Sequence, residues 1–186
     1  MSNWNPTSIE HAWTFATRQH KGQTYGGHVE GERVECMTHI GAVVMELMWA
    51  LQDDADADGD LALQCAALHD TIEDTGATFE LIHERFGIAV ANGVQALSKD
   101  ATLPTKEAQM ADSLWRIRQQ PREVWMVKLA DRIANLQGPP FYWDNKKIRA
   151  YQAEARVILE SLGTASEALS QRLAKKIEDY SDFLKA

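Results

Sequence analysis

The chain has 186 residues, of which 45% are hydrophobic and 25% are charged, and its formal net charge is −8. This length accommodates one domain whose core needs no disulfide or metal staple. The acidic balance disfavours nucleic acid as a general partner, because an anionic surface repels a phosphate backbone. An anionic small molecule would need a local positive site, such as a metal ion, to offset the same field.

The N-terminal residues and the cysteines indicate a cytoplasmic protein. The first residues, MSNWNPTSIEHAW, contain no basic segment followed by an apolar run, so they do not form a secretory signal. No apolar run in the chain approaches the roughly 20 residues that cross a bilayer, so no membrane partner is expected. Cys36 and Cys65 are expected to be free thiols, as in a reducing compartment.

Apolar residues recur at helical spacing along most of the chain, and this pattern predicts an all-α fold. The first predicted helix begins near Pro6, the second runs from about Thr38 to Gln52, and the third begins near Leu61. Thr78 is the predicted N-cap of a short helix that ends at Gly87. Later helices are predicted over about 88–97, 104–120, 121–136, 145–162 and 165–184.

These elements predict an orthogonal multi-helix bundle that forms a single domain over 1–186, with a core over about 8–160 and C-terminal helices over about 145–184. Residues 22–36 contain four glycines and are predicted to be a loop, and no segment alternates apolar and polar residues as a strand does. Most of the six tryptophans are expected in the core, with Trp143 as the exposed exception.

The acidic stretch 53–60 partly matches a calcium-binding loop. The position that requires a bidentate glutamate is Cys65, so specific calcium binding is not the favoured interpretation. We expect a solvated turn in which Asp60 caps the following helix.

The strongest local signal for chemistry is the segment His69-Asp70-Thr71-Ile72-Glu73-Asp74-Thr75. On one helix, Glu73 would lie one turn after His69, and Asp74 one turn after Asp70. An imidazole beside a carboxylate suits a borderline divalent metal such as manganese, iron, cobalt or zinc. The two later carboxylates can orient a ligand or take the proton of a water molecule.

A metal site needs further ligands from elsewhere in the chain. His39 stands near the start of the second predicted helix, and Asp131 follows an apolar segment where an unpaired charge is costly. Taken alone, a residue such as His39 is more often a helix N-terminal or core histidine, and one such as Asp131 beside Arg132 is more often a surface or capping ion pair. The joint pattern of all these residues favours a metal site over separate structural roles.

The same pattern resembles the HD superfamily, and within it the hydrolase domain of the RelA/SpoT enzymes and the stand-alone small alarmone hydrolases. The segments that carry the resemblance run in the family's order over roughly residues 8–160. They are Ala16 to Gln23, Thr38-His39, Ala66 to Thr75, Phe86-Gly87, Ser98-Lys99 and Val127 to Leu136.

The resemblance implies one divalent metal ion, typically manganese, held by four side chains: His39, His69, Asp70 and Asp131. It implies that Glu73 and Asp74 flank the attacking water, and that Asn135 and Lys99 contact the substrate. The reaction implied is hydrolysis of the 3′-diphosphate of a guanosine polyphosphate, with release of pyrophosphate.

The chain also departs from the family pattern where the base is held. The family usually has an arginine soon after its His-x-Gly-Gln segment, and this chain has Tyr25. A tyrosine can stack on a purine but cannot offer a fork of hydrogen bonds. Tyr25 and Lys21 are further candidate substrate contacts, and the choice between a guanosine and an adenosine polyphosphate stays open.

Two other functions stay open from the sequence. The chain can be an HD phosphohydrolase for another nucleotide or a dinucleotide cofactor phosphate, or a non-catalytic nucleotide-binding regulator. Glu73 and Asp74 argue against the regulator, because a metal-stabilised scaffold does not need them. The expected partner is a small-molecule nucleotide, and a homo-oligomer is an open alternative to a monomer.

Overall fold

The computed structural model describes residues 3–185 and shows a bundle of α-helices with one short β-hairpin. The helices are α1 (Pro6–Gln19), α2 (Cys36–Ala50), α3 (Gly59–Leu68), α4 (Thr71–Asp74), α5 (Phe79–Phe86), α6 (Ile88–Leu97), α7 (Lys106–Ile117), α8 (Arg122–Asn135), α9 (Asn145–Leu162) and α10 (Glu167–Asp179). The predicted all-α class is confirmed. The predicted domain span of 1–186 includes Met1, Ser2 and Ala186, which lie outside the described residues.

Local signals set the ends of three of these helices as predicted. Thr78 caps α5 by accepting a hydrogen bond from the Leu81 amide at 3.3 Å, and Gly87 ends that helix with a φ of 86°. Helices α6 and α9 have the predicted bounds, because clear breakers or caps flank both of them.

The segment predicted as a loop over residues 22–36 contains a β-hairpin, so that prediction was wrong in part. Strand β1 (Thr24–Gly26) pairs antiparallel with β2 (Arg33–Glu35). The Arg33 guanidinium ties the strands together by donating to the Thr24 carbonyl at 2.8 Å and to its hydroxyl at 2.7 Å. Strands of three residues are too short to show an alternating pattern, which is why the sequence did not reveal them.

The acidic turn over residues 53–60 is used for contacts within the chain. Asp58 caps α3 by accepting from the Leu61 amide at 3.0 Å, which corrects the expectation that Asp60 is the cap. Asp60 instead accepts from the backbone amide of Asn5, and Asp54 pairs with Arg122 at 2.7 Å. Several aspartates stand close together in this segment, so the sequence alone did not show which of them caps α3 and which make other contacts.

The core is centred on α3 and α8, which are buried along most of their length. Two tryptophans do not follow the prediction that most of them are core residues, since Trp49 is 49% exposed and Trp115 is 64% exposed. Trp143, expected to be exposed, packs partly buried against the core. Within residues 3–185, no helix is both long enough and apolar enough to cross a bilayer.

Candidate active site

Three buried helices bring the candidate metal ligands to one place. His39 lies in the first turn of α2, His69 and Asp70 directly follow α3, and Asp131 lies on α8. Helices α2, α3 and α8 pack against one another, so residues far apart in the chain converge at their junction.

The ligand atoms are close enough to surround one ion. The Nε2 atom of His39 lies 3.3 Å from His69 Nε2, 3.3 Å from Asp131 Oδ1 and 3.8 Å from Asp70 Oδ2. His69 Nε2 lies 3.1 Å from Asp70 Oδ2 and 4.0 Å from Asp131 Oδ1. Atoms bound at about 2.1 Å to one ion lie about 3 to 4 Å apart. His39, His69 and Asp70 form a cluster that can hold a metal ion, with Asp131 beside it.

A single helix through residues 69–75 was expected, and that prediction was wrong. Helix α3 ends at Leu68, and the separate turn α4 begins at Thr71, whose hydroxyl donates to the Leu68 carbonyl at 2.6 Å. Consecutive side chains on a helix point about 100° apart. The interruption therefore allows the neighbouring residues His69 and Asp70 to face His39 together.

The buried environment of His69 orients its ring. Its Nδ1 lies 2.8 Å from the Ala66 carbonyl, which can only accept, so Nδ1 carries a proton and Nε2 faces the ligand cluster. Burial alone lowers the pKa of His69, but the carboxylates of Asp70 and Asp131 and the hydrogen bonds to Asp70 and Ala66 raise it to about 9.

Asp131 has cationic and polar partners in addition to the histidines. Lys128 Nζ donates to Asp131 Oδ2 at 2.8 Å, and the Asn135 amide donates to Oδ1 at 2.6 Å. Burial raises the pKa of Asp131, but the charges of Lys128, His69 and His39 outweigh it and hold the pKa well below its usual value. Asp131 is therefore an anion at neutral pH even though it is buried.

The two further carboxylates lie on α4 beside the ligand cluster. Glu73 accepts from the backbone amide of Lys99 at 2.9 Å and from its ammonium group at 3.2 Å. The pKa of Asp74 is raised by burial and by the nearby charges of Asp70 and Glu73. The two neighbouring carboxylates thus differ in their surroundings, since Glu73 is paired with a lysine and Asp74 has a raised pKa.

The cluster lies in a cleft with a volume of about 820 Å³, which is the size of a small-molecule site. Nine of the ten candidate residues from the sequence line it: Tyr25, His39, His69, Asp70, Glu73, Asp74, Lys99, Asp131 and Asn135. Lys21 is exposed after α1 and is not among the described residues that line the cleft. The structure therefore places Lys21 outside this cleft.

Several residues that line the cleft were not predicted from the sequence. Among them, Lys106 and Lys147 add positive charge. Lys147 Nζ lies 5.2 Å from the centre of the Trp143 ring, and Tyr151 follows one turn later on α9. The spacing of an aromatic residue four positions after a lysine was the signal that could have marked this face.

Arg132 was considered only as an alternative ion-pair partner of Asp131, and the structure gives it another role. It is 3% exposed, its guanidinium lies 4.2 Å from the centre of the Tyr151 ring, and it pairs with Glu154. Arg132 thus joins α8 to α9 at the wall of the cleft.

The donor set fits a divalent cation. Two imidazoles and two carboxylates give a mixed nitrogen and oxygen site, which suits manganese, iron, cobalt or zinc. The hydrogen bond from His69 to Ala66 is the kind of outer contact that orients a metal-binding histidine.

Curated relatives of similar length cover most of this chain. An enzyme of Danio rerio named guanosine-3′,5′-bis(diphosphate) 3′-pyrophosphohydrolase MESH1 is 29% identical over 166 residues, which is 86% of each chain. The Homo sapiens protein of the same name is 28% identical over 86% of this chain and 87% of its own. A Spiroplasma citri guanosine-3′,5′-bis(diphosphate) 3′-pyrophosphohydrolase is 29% identical over 93% of this chain but only 22% of its own length.

Solved structures share the fold, and a family model matches most of the chain. The structure of a metazoan ortholog of SpoT, described as hydrolysing ppGpp, has a TM-score of 0.80 at 21% identity and covers 95% of this chain and 97% of that one. A Listeria monocytogenes EGD-e structure has a TM-score of 0.61 at 18% identity, covering 83% and 98%. Residues 12–166 match the model of the HD domain. With its ligand residues gathered between α2, α3 and α8, this chain belongs to the HD domain family.

Proposed function

We propose that this protein is a metal-dependent 3′-pyrophosphohydrolase of guanosine 3′,5′-bis(diphosphate), and that manganese is its ion. The observation that carries the proposal is the gathering of His39, His69, Asp70 and Asp131 at the base of a nucleotide-sized cleft, beside Glu73. The names of relatives that align over most of this chain support the choice of substrate. The proposed setting is the cytoplasm, with a nucleotide as the small-molecule partner.

In this proposal the four ligand residues hold the ion, and a carboxylate of α4 accepts the proton of the attacking water. A divalent ion held there would lower the pKa of a water molecule and polarise the phosphoryl oxygens. Glu73 or Asp74 would take the proton of the water that attacks the 3′-diphosphate, with cleavage of the bond between the 3′ oxygen and phosphorus and release of pyrophosphate. The Lys99 backbone amide and ammonium group both hold the Glu73 carboxylate near the cluster. The backbone bond would remain if the ammonium group turned from Glu73 toward a phosphate.

The remaining charges of the cleft suit a polyphosphate. Lys99, Lys106 and Lys147 line the same cleft in a chain of net charge −8. With a divalent ion in the ligand cluster, these lysines would give the cleft an excess of positive charge over its carboxylates, and that charge would attract an anionic substrate. The Asn135 amide, fixed by its bond to Asp131, is proposed to contact the substrate next to the ion.

The direct test measures pyrophosphate release from guanosine and adenosine 3′-diphosphates side by side, with manganese-loaded protein and a His69→Ala control. We expect release that is lost in the control, since His69 is buried in the ligand cluster. Replacing manganese with magnesium, cobalt or zinc tests the choice of ion. Absence of release from both nucleotides, with metal still bound, would refute the proposed reaction.

Metal affinity is expected to depend on pH through His69. In the metal-free protein its pKa is raised to about 9, so below that pH the ion must displace a proton. The affinity should then rise about tenfold per pH unit for one displaced proton, and level off above about pH 9. Calorimetric titration in buffers of different ionisation enthalpy counts the released proton. An affinity independent of pH would contradict this role.

A second candidate substrate is favoured by the residue at the hairpin. Tyr25 is 43% exposed and lines the cleft where the family usually has an arginine. An aromatic ring can stack on the face of either purine, and stacking alone makes no hydrogen bonds that distinguish guanine from adenine. An adenosine polyphosphate or another phosphorylated nucleotide is thus the alternative, and the ratio of the two activities in the same assay decides between them.

A further inference from the structure

Gln23 connects three elements of the active site through four hydrogen bonds. Its backbone amide donates to the His20 carbonyl at 2.9 Å, and its own carbonyl accepts from the Cys36 amide at 3.0 Å. Its side-chain Nε2 donates to the Asp74 backbone carbonyl at 2.8 Å, and its Oε1 lies 2.7 Å from His20 Nδ1. Gln23 thereby joins the end of α1 to the first residue of α2 and to the last residue of α4.

The bonding pattern fixes the orientation of the Gln23 amide. The Asp74 carbonyl can only accept, so the amide nitrogen of Gln23 must face it. The amide oxygen then faces His20, whose Nδ1 must carry a proton in order to donate. His20 therefore determines which end of the Gln23 amide points at α4.

The closest polar contact of the His20 side chain is this one with Gln23. The residue is 2% exposed, and its Nε2 is buried without a hydrogen-bond partner among the described residues. Its Nδ1 also lies 3.6 Å from the Cys36 sulfur, which is only a weak acceptor. A buried nitrogen without a partner costs stability, and an apolar side chain would avoid that cost. We therefore infer that the hydrogen bond to Gln23 is the reason for a histidine at this buried position.

The segment that Gln23 holds is the one that carries the proposed proton acceptors. Helix α4 is a single turn, which is too short to be stable by itself. Away from Gln23, α4 is held by the hydrogen bonds that Lys99 donates to the Glu73 side chain. The bond from Gln23 to Asp74 fixes the end of this turn relative to the start of α2, the helix that also carries His39.

We propose that Gln23, with its amide oriented by His20, is a positioning residue that holds Glu73 and Asp74 in register with the metal ligands. This inference rests on the proposed function only in its effect on turnover. Gln23 also lines the cleft, but its side-chain amide is already bonded to His20 and to the Asp74 carbonyl. We therefore expect it to act through the backbone of α4 on the rate of the chemical step, and KM tests whether it also contacts the substrate.

The first test compares Gln23→Glu with Gln152→Glu. The Gln23 variant keeps the oxygen that faces His20 but loses the donor to Asp74. Gln152 is a matched control, because its amide also donates to a helix carbonyl, that of Ile177 at 2.6 Å, and it is not among the described residues that line the cleft. We expect kcat to fall about 10- to 100-fold in Gln23→Glu, as for other outer contacts of metal sites. KM and manganese affinity should stay within about twofold of the parent.

A raised KM with unchanged kcat would mean that Gln23 binds substrate directly, and this would overturn the proposal. Equal kcat values in the two variants would overturn it as well. Gln23→Met serves as a second variant that adds no charge, and His20→Phe should lower kcat in the same direction by a smaller factor.

Hydrogen exchange measured by mass spectrometry tests the positioning role without turnover. In Gln23→Glu, amides over residues 71–76 should exchange at least about tenfold faster than in the parent, and those of Gln152→Glu should not change. Unchanged protection over 71–76 would overturn the positioning role. If the parent itself releases no pyrophosphate, the proposed function fails, and the exchange result still decides whether Gln23 holds α4.

Discussion

Replacing Asp131 with alanine is expected to destabilise the metal-free protein by about 3–5 kcal/mol, because the change leaves the buried charge of Lys128 without its partner. The variant should also release no pyrophosphate, because it lacks a proposed metal ligand. Lys128 is only 5% exposed, and its ammonium group lies 2.8 Å from Asp131 Oδ2. The Asn135 amide loses its acceptor in the same variant. Urea unfolding of the metal-free variant, with the slope compared to that of the parent, measures the loss.

A double variant separates the two roles of Asp131. In Asp131→Ala/Lys128→Met, the buried ammonium group is removed together with its partner, so much of the lost stability should return. Activity should stay absent, because the double variant still lacks a proposed metal ligand. A single variant that unfolds at the same urea concentration as the parent would show that Lys128 and Asp131 are not a buried pair.

Glu73→Gln is expected to lower kcat about 10²- to 10⁴-fold, the usual contribution of a general base, and to leave manganese affinity unchanged. Glutamine keeps an oxygen for the Lys99 amide, so α4 should stay in place. Glu73→Ala should lose a similar amount of turnover. Single-turnover kinetics with manganese-loaded protein measure the chemical step.

Glu80→Gln is the matched control for this variant, because Glu80 lies in the first turn of α5 and is fully exposed to solvent. Its kcat should equal that of the parent. A Glu73→Gln protein as active as the parent would show that another group takes the proton, and Asp74→Asn would then be the next variant to measure.

The long helices could be predicted because each of them carries a full set of local signals. Asn145–Leu162 follows an aspartate cap and has a continuous apolar face, so its bounds agreed with the prediction. The interruption after Leu68 carries no such signal, since residues 69–75 contain neither glycine nor proline. At the interruption the buried Thr71 hydroxyl donates to the Leu68 carbonyl, a local bond that takes an acceptor of the helix. The spacing of apolar residues does not reveal whether a threonine makes this bond.

The residues of the candidate site could be predicted where several histidines and carboxylates lie close together in the sequence. His69, Asp70, Glu73 and Asp74 lie within six positions of one another. His39 and Asp131 were candidates from their places in the predicted helices, and the resemblance then implied them as ligands. The part of the cleft that α9 lines was not predicted, because Lys147 and Tyr151 belong to a helix with an otherwise ordinary amphipathic pattern. Gln23 was quoted only as part of a motif, and its role depends on a contact with Asp74, 51 positions away.

The gap between α3 and α4 has a consequence for how long an ion stays bound. His69 is anchored in the core, but Asp70 leads into a single helical turn tied down by Gln23 and Lys99. Such a turn can open while α2, α3 and α8 stay folded. We therefore expect the residence time of the ion to be set by this local opening, so that a chelator strips the protein much faster than the protein unfolds.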